Sequence, residues 1–171
     1  MIHVAAVALG VFLPMLFEAI RSSRNEQRQR ARGGLEPSDD VYATMQYVYP
    51  AAFAAMLVEG AIRGSTPLGL AAGVVVFVGA KLIKWWAILA LGPQWTFRVI
   101  VVPGDRRVTT GPYRYVRHPN YIGVMGELVG AALLTGAWVS GSAAVMIFGA
   151  LLRRRIAVEE RATRNLDPMT R

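Results

Sequence analysis

Five apolar runs, separated by polar segments, dominate the chain. They cover residues 2–20, 41–62, 68–91, 121–134 and 137–152. The first three approach the roughly 20 residues that an α-helix needs to cross the apolar core of a bilayer. The last two are shorter and are separated by Thr135-Gly136, so we expect a tilted or closely packed helical hairpin there. The pattern predicts an all-α integral membrane protein with about five transmembrane helices.

The polar segments between these runs predict an orientation. Residues 21–40, 92–120 and 153–171 carry five, five and six of the 19 lysines and arginines. Five spans would place all three segments on one side of the membrane, and basic segments favour the cytoplasmic side. We therefore expect the N-terminus outside, the C-terminus in the cytoplasm, and a cytoplasmic tail helix after the hairpin.

Composition excludes several classes of protein. Of the 171 residues 54% are hydrophobic, and the mean hydropathy of +0.36 is unlike that of a soluble domain. The basic residues that give the net charge of +8 lie between apolar runs. Anionic lipid headgroups are therefore the expected partner rather than nucleic acid. The absence of cysteine excludes thiolate catalysis, and with only two histidines no metal site is expected.

The most informative segment is GPYRYVRHPNYIG, at residues 111–123. It begins with a turn and ends where a helix is predicted to start, and Pro119 suits the first position of that helix. The free backbone N–H groups at this helix end could bind an anionic group. The segment also presents aromatic faces for an adenine or a sulfonium cation, at Tyr113, Tyr115 and Tyr121. On the residues alone, an interfacial anchor of Tyr and Arg explains it equally well.

This segment resembles the signature of the isoprenylcysteine carboxyl methyltransferase family, GPY-x-Y-x-RHP-x-Y-x-G. Bacterial members of the family are similar in three further places: Leu91-Gly92 with Trp95-Thr96 and Arg98-Val99, Pro103-Gly104, and Arg155-Ile156 with Glu159-Glu160. The resemblance covers roughly residues 91–162. It implies one membrane domain with three N-terminal helices in residues 1–91, followed in residues 92–171 by a cofactor-binding loop, the hairpin and the tail.

The resemblance also implies a cofactor and the residues that bind it. Family members bind S-adenosylmethionine on the cytosolic side of the membrane. By match to the motif, His118, Pro119 and Tyr121 would line the cofactor pocket, and Tyr113 and Gly123 would shape it.

The acidic pair Glu159 and Glu160 has two interpretations. The resemblance implies that it reaches the amino or ribose groups of the cofactor. The alternative is a solvated helix, because Arg155 with Glu159 and Glu160 with Arg164 both have the i,i+4 spacing of helical ion pairs.

Two charged residues are candidates for a catalytic role. Glu127 falls inside an apolar helix, where a carboxylate is costly without a partner such as Lys81, Lys84 or Arg98. It would accept a substrate hydroxyl or organise Arg98, and a purely structural ion pair is an equal alternative. Arg98, beside Trp95, could bind a substrate carboxylate or enolate through its fork of donors, with an interfacial snorkelling arginine as the alternative.

Other residues have structural interpretations. Gly69 with Gly73, and Gly126 with Gly130, have the spacing at which membrane helices pack closely. We expect this packing within the chain rather than between two copies of it. Glu18 and Glu59 are expected near helix ends, within reach of water.

We therefore expect an S-adenosylmethionine-dependent O-methyltransferase of a bacterial inner membrane, acting on a carboxylate or hydroxyl of a lipophilic substrate. Eukaryotic family members methylate the carboxylate of prenylated cysteines, and bacterial relatives methylate long-chain alkylpyrones and alkylresorcinols. The Ala-, Val-, Gly- and Arg-rich composition suggests a bacterial source. The alternatives are an NADPH-dependent membrane reductase of the sterol or enone type, which the intact RHPNY disfavours, and a non-catalytic membrane scaffold. Oligomeric state does not follow from this sequence.

Overall fold

Each apolar run forms one α-helix. The computed structural model describes residues 2–166, with side chains described for residues 4–164. The helices are α1 (Ile2–Ala31), α2 (Tyr42–Arg63), α3 (Pro67–Leu91), α4 (Pro119–Thr135) and α5 (Trp138–Leu166). Two short 3-10 helices, Gly92–Gln94 and Gly111–Arg114, lie at the ends of the loop between α3 and α4. Within the described range, β-type pairing is limited to one isolated bridge, between Leu35 and Val101.

Two helices continue well past the apolar runs that predicted them. Helix α1 continues to Ala31, through the first half of a segment predicted as a polar loop. Helix α5 continues without a break to Leu166, so the predicted tail helix is the second half of α5 and not a separate element. Residues 167–171 of that tail lie outside the described residues. In the α1 extension the buried side chains are polar, and they repeat at helical spacing: Ser22, Asn25 and Gln29.

Two helices are long and apolar enough to cross a bilayer, over Val4–Ala31 and Pro67–Gln94. Helix α4 has 17 residues, a length of about 25 Å, somewhat less than the thickness of a bilayer core. Many large apolar side chains are exposed, among them Leu9, Leu13, Val75, Leu82 and Met146. Exposed apolar surface of this extent is typical of contact with lipid or with another protein. These features indicate a membrane protein with five helices, two of which meet the requirements for a span.

Glycines allow α3 and α4 to pack in close contact. A Cβ atom at Gly130 would lie 2.6 Å from the backbone nitrogen of Phe77, and one at Gly73 would lie 2.6 Å from that of Leu134. Gly126 faces the same interface. The predicted packing of these glycines within the chain is thus confirmed for Gly73, Gly126 and Gly130.

The turn between α4 and α5 depends on one more glycine and on a carboxylate from α2. Gly136 has φ +70°, and a Cβ atom there would lie 2.2 Å from the carbonyl oxygen of Gly64. Glu59 accepts hydrogen bonds from the backbone nitrogens of Val139 (3.1 Å) and Ser140 (2.7 Å). Glu59 lies near the end of α2 as predicted, and it acts as a cap for the first turn of α5.

Candidate functional site

A cavity of about 930 Å³ lies among the helices and the loop that follows α3. Polar side chains from the first turn of α4 and the last turns of α5 line what we call its polar part: His118, Tyr121, Arg155, Glu159 and Glu160. Residues further along the helices line its apolar part: Met15, Met45, Pro50, Phe148 and Leu152. The volume is at the upper end of what small-molecule sites have. The cavity can therefore hold a ligand that is polar at one end and apolar at the other.

A chain of hydrogen bonds organises the polar part. The Tyr121 hydroxyl donates to Glu159 Oε2 at 2.7 Å and accepts from Arg155 Nε at 2.9 Å. A second nitrogen of the same guanidinium donates to Asp40 Oδ1 at 3.2 Å. Arg155 and Asp40 are buried, with side-chain exposures of 7% and 4%. Since both partners of Tyr121 are charged, its hydroxyl group is held in one orientation.

Polar atoms without a hydrogen-bond partner remain in the same place. The His118 ring stacks on that of Tyr121, with centroids 5.4 Å apart. His118 Nε2 is buried without a hydrogen bond and lies 3.6 Å from Glu160 Oε1. Asn120 Oδ1 is buried without a partner too. Because such atoms are costly to leave unpaired, the arrangement fits a ligand that supplies polar groups of its own.

Tyr113 lines the cavity near the acidic pair. Burial raises the pKa of its phenol, and the negative charge of Glu159 raises it further. At neutral pH Tyr113 is therefore protonated and can donate a hydrogen bond. The acidic pair itself is partly exposed, with side-chain exposures of 39% for Glu159 and 38% for Glu160. Its charge suits a cationic group on a ligand.

Two residues that the sequence placed in the pocket do not line the cavity. Pro119 begins α4 as predicted, but it is buried in the packing around the helix start. Gly123 packs against α3, where a Cβ atom would lie 2.7 Å from Lys84 Cβ. The direct effect of Gly123 is thus the close approach of α4 to Lys84, and its effect on the shape of the pocket stays a prediction.

Arg98 lines the cavity but does not meet Glu127. Its guanidinium donates to Glu36 Oε1 at 2.7 Å and lies 3.5 Å from Glu26 Oε2. It also lies 4.7 Å from the centroid of the Tyr42 ring. The hydrogen bond to Glu36 raises the pKa of Arg98. The hypothesis that Glu127 organises Arg98 is therefore wrong, since acidic residues of α1 and of the segment after it hold this arginine.

The structure instead places Glu127 in a buried ion network, which we define as Glu18, Tyr49, Lys81, Lys84 and Glu127. Lys84 Nζ lies 2.7 Å from Glu18 Oε2 and 3.3 Å from Glu127 Oε1. Lys81 Nζ lies 3.1 Å from Glu127 Oε2, which also accepts a hydrogen bond from the Tyr49 hydroxyl at 2.7 Å. Lys81 and Lys84 are thus confirmed as partners of Glu127. Glu18, predicted near water, is 1% exposed.

Polar residues of α1, which the sequence analysis did not single out, hold the loop after α3. The Asn25 amide donates to the carbonyl oxygens of Gly92 and Trp95 at 3.0 and 2.8 Å. The Ser22 hydroxyl accepts from the backbone nitrogen of Phe97 at 2.8 Å. The available signal was the helical spacing of uncharged polar residues within a segment interpreted as a loop.

Asp40 is a second residue that the sequence analysis missed, and it joins three elements. Its carboxylate accepts from the backbone nitrogens of Val99 (2.8 Å) and Tyr42 (3.1 Å), as well as from Arg155.

We expect Asp40→Asn to lower the free energy of unfolding by about 1–3 kcal/mol, because a buried charged acceptor is lost. Trypsin should then cleave the exposed Arg106 faster.

Asp39 offers the matched control for this prediction. Its side chain is 59% exposed and pairs with Arg161 at the surface, so Asp39→Asn should change stability by less than about 0.5 kcal/mol. Chemical unfolding and limited trypsin digestion would be run on both variants in the same detergent. Equal effects from the two changes would show that Asp40 does not secure the loop.

Comparison with known proteins connects this geometry to a family. The family model for isoprenylcysteine carboxyl methyltransferases (ICMT) matches residues 72–165, from α3 to near the end of α5. The uncharacterized protein YpbQ of Bacillus subtilis is 30% identical over 143 residues, which cover 81% of this chain and 83% of that protein. An uncharacterized protein of Haemophilus influenzae is 26% identical over 153 residues, covering 86% and 87% respectively. No solved structure matches the chain.

Proposed function

Because the chain belongs to the isoprenylcysteine carboxyl methyltransferase family of membrane methyltransferases, we propose that it is an S-adenosylmethionine-dependent O-methyltransferase. Its substrate is a lipophilic molecule that bears a carboxylate or a hydroxyl group. The observation that carries this proposal is that one cavity has both a polar and an apolar part. A polar methyl donor from the aqueous side and an apolar acceptor from the bilayer could meet there. The donor would not have to enter lipid, and the acceptor would not have to enter water.

The polar part fits S-adenosylmethionine by its chemistry. Glu159 and Glu160 offer negative charge to the ammonium and sulfonium groups of this cofactor. The stacked rings of His118 and Tyr121 offer an aromatic face. The unpartnered His118 Nε2 and Asn120 Oδ1 would gain hydrogen-bond partners from its polar groups. These four features support the cofactor assignment independently of the family match.

Positioning is the main task left to the protein. When bound, S-adenosylmethionine supplies an electrophilic methyl group on a sulfonium. Correct placement of two reactants contributes about 7–11 kcal/mol to lowering a barrier. Tyr121, held between Arg155 and Glu159, gives the polar part a fixed geometry. Met45 and Phe148 in the apolar part would hold the substrate chain and exclude water.

The same proposal includes an orientation in the membrane. All five helices cross or enter a bacterial inner membrane, with the N-terminus outside and the C-terminus in the cytoplasm. The exposed arginines of the α1 extension, of the loop after α3 and of the second half of α5 would then face anionic headgroups. This orientation opens the polar part to the cytosol, where the cofactor is found. Lipophilic substrates and membrane lipids are the expected partners.

Calorimetry on the protein in mild detergent tests the proposed function. We expect saturable binding of S-adenosylmethionine and S-adenosylhomocysteine, and at least about tenfold weaker binding by Glu159→Ala, because a charged contact is lost. His118→Ala should weaken it as well. Glu59→Gln, on a carboxylate that caps α5 away from the cavity, is the control and should bind normally.

The other outcomes of this titration separate the alternatives. Binding of NADPH without binding of S-adenosylmethionine would contradict the proposal and favour a membrane reductase. A folded protein that binds none of the three compounds would favour a non-catalytic scaffold.

A further inference from the structure

We propose that Glu18 and Lys84 bind the hydroxyl group of the methyl acceptor and that Glu18 takes its proton. The acceptor is then a lipophilic phenol, enol or alcohol rather than a carboxylate. This inference rests on the proposed methyl transfer and assigns its substrate class. It starts from the buried ion network, whose members the cofactor site does not use.

Three members of the buried ion network border the cavity, and two lie behind them. Glu18, Tyr49 and Lys84 are part of the cavity wall, whereas Lys81 and Glu127 are not. The Tyr49 hydroxyl already donates to Glu127, which leaves Glu18 and Lys84 as the pair with free hydrogen-bonding capacity. Glu18 lies one helical turn from Met15, in the apolar part. Lys84 packs against Gly123, two positions after Tyr121 on α4, and it lines the same cavity as that tyrosine. The pair therefore borders the cavity in which the acceptor and the methyl donor would meet.

The free hydrogen-bonding capacity of this pair matches a hydroxyl group. An ammonium has three N–H bonds, and Lys84 directs its group at two carboxylates, those of Glu18 and Glu127. One N–H bond remains for an acceptor oxygen. Glu18 Oε1 is buried without a hydrogen bond, and Lys81 Nζ lies 3.9 Å away from it. A bound hydroxyl would accept from Lys84 and donate to Glu18 Oε1.

A carboxylate on the substrate fits this pair poorly. It can only accept hydrogen bonds, so Glu18 Oε1 would stay without a partner. Its charge would also lie against Glu18 and Glu127, whose charges Lys81 and Lys84 already neutralise. Like charges at close range in a buried site are strongly unfavourable. The network therefore discriminates in favour of a neutral, protonated acceptor.

In the proposed methyl transfer, Glu18 and Lys84 account for the proton and the charge. The O–H bond of the acceptor breaks, and the proton goes to Glu18 Oε1. The oxygen forms a bond to the methyl carbon, and the electrons of the broken carbon–sulfur bond stay on sulfur. Lys84 stabilises the negative charge that develops on the oxygen. The positive charge of the sulfonium ends as the proton on Glu18, so the total charge of the site is unchanged.

The test compares substrates with the same alkyl chain but different acidity. The wild-type protein should methylate a pentadecylphenol. Its rate of methylation of the matching pentadecylbenzoate should be at least about tenfold lower. Glu18→Gln, which keeps an oxygen for Lys84, should slow the phenol reaction about 10²–10⁴-fold, as expected for loss of a general base. A pentadecyl nitrophenol, already ionised at neutral pH, needs no base and carries a charge that Glu18 repels, so Glu18→Gln should methylate it as fast as the wild type or faster.

Three further readouts distinguish proton transfer from a structural role. In Glu18→Gln the rate on the phenol should rise about tenfold per pH unit as the substrate itself ionises, up to about pH 10. Binding of the phenol without cofactor, followed by tryptophan fluorescence, should weaken in the variant. Binding of S-adenosylhomocysteine should change less than threefold. Glu59→Gln, outside the cavity, should match the wild type in all of them.

Benzoate methylated as fast as phenol by the wild type would overturn this inference, and so would equal slowing of both phenols by Glu18→Gln. The wild-type comparison stands even if Glu18→Gln does not fold. A wild-type protein that binds S-adenosylhomocysteine but methylates none of these phenols would overturn the inference and leave the proposed function intact. A wild-type protein that binds no S-adenosylhomocysteine would contradict the proposed function itself.

Discussion

Lys84→Met is expected to lower the free energy of unfolding by about 3–5 kcal/mol, the range found when one partner of a buried ion pair is removed. Lys84 is 3% exposed and lies 2.7 Å from Glu18 and 3.3 Å from Glu127. Without it, two carboxylates that are each 1% exposed would keep Lys81 as their one counter-charge among the described residues. Equilibrium unfolding in mixed detergent, followed by the fluorescence of the four tryptophans, measures the loss.

Lys81→Met is the matched control for this prediction. Lys81 is 15% exposed, so its removal leaves the better-buried cation in place and should have less than half the effect. Adding Glu18→Gln to Lys84→Met should recover part of the lost stability, because one uncompensated charge is removed. A change within about 1 kcal/mol for Lys84→Met would mean that the carboxylates do not depend on this lysine.

Gly130→Ala is the second change with a large expected effect, a loss of about 2–3 kcal/mol. The added Cβ atom would lie 2.6 Å from the nitrogen and 2.7 Å from the Cα of Phe77. Both are backbone atoms of α3, so no side-chain rotation relieves the contact, and the two helices must separate. Thermal and chemical unfolding of the purified variant in detergent measure the loss.

Gly79→Ala applies the same substitution where there is space. Gly79 lies on α3, and apart from its chain neighbours and the backbone of its own helix no described atom lies within 4 Å of a Cβ atom at this position. Alanine is favoured over glycine inside a helix by about 1 kcal/mol, so this variant should be as stable as the wild type or slightly more stable. If Gly130→Ala behaves like Gly79→Ala, the close packing of α3 and α4 is not what holds the bundle.

The two predictions concern one physical arrangement. Close packing of α3 on α4 places Lys84 beside Gly123, and Lys84 and Tyr121 line the same cavity. Separation of these helices would therefore move the buried ion network away from the polar part of the cavity. We expect Gly130→Ala to weaken methyl transfer more than it weakens cofactor binding, since the cofactor contacts lie on α4 and α5.

Several features of the fold could be predicted from short stretches of the sequence. The apolar runs predicted five helices because hydropathy over about 20 residues is a local property. The RHPNY segment predicted the start of α4, since Pro119 suits a first helical position wherever the rest of the chain lies. The spacing of Gly126 and Gly130 predicted close packing because small residues four apart share one helix face.

The partners of charged residues could not be predicted in this way. Glu18 was expected near water, because its position close to the end of an apolar run is all that the sequence shows. The structure continues α1 to Ala31 and buries Glu18 against Lys84, 66 positions away in the chain. Arg98 and Asp40 likewise have partners on other elements.

The sequence by itself therefore determined the class of the fold, the number of helices, the family and most residues of the polar part. Only the tertiary structure decided which carboxylate of the buried ion network borders the cavity and which lysine neutralises it. It also decided which residues hold the loop after α3. The physical reason is the separation along the chain between the residues that interact. Helix formation and hydropathy depend on neighbours in sequence, whereas the pairing of buried charges depends on the rotation and separation of helices set by packing across the whole bundle.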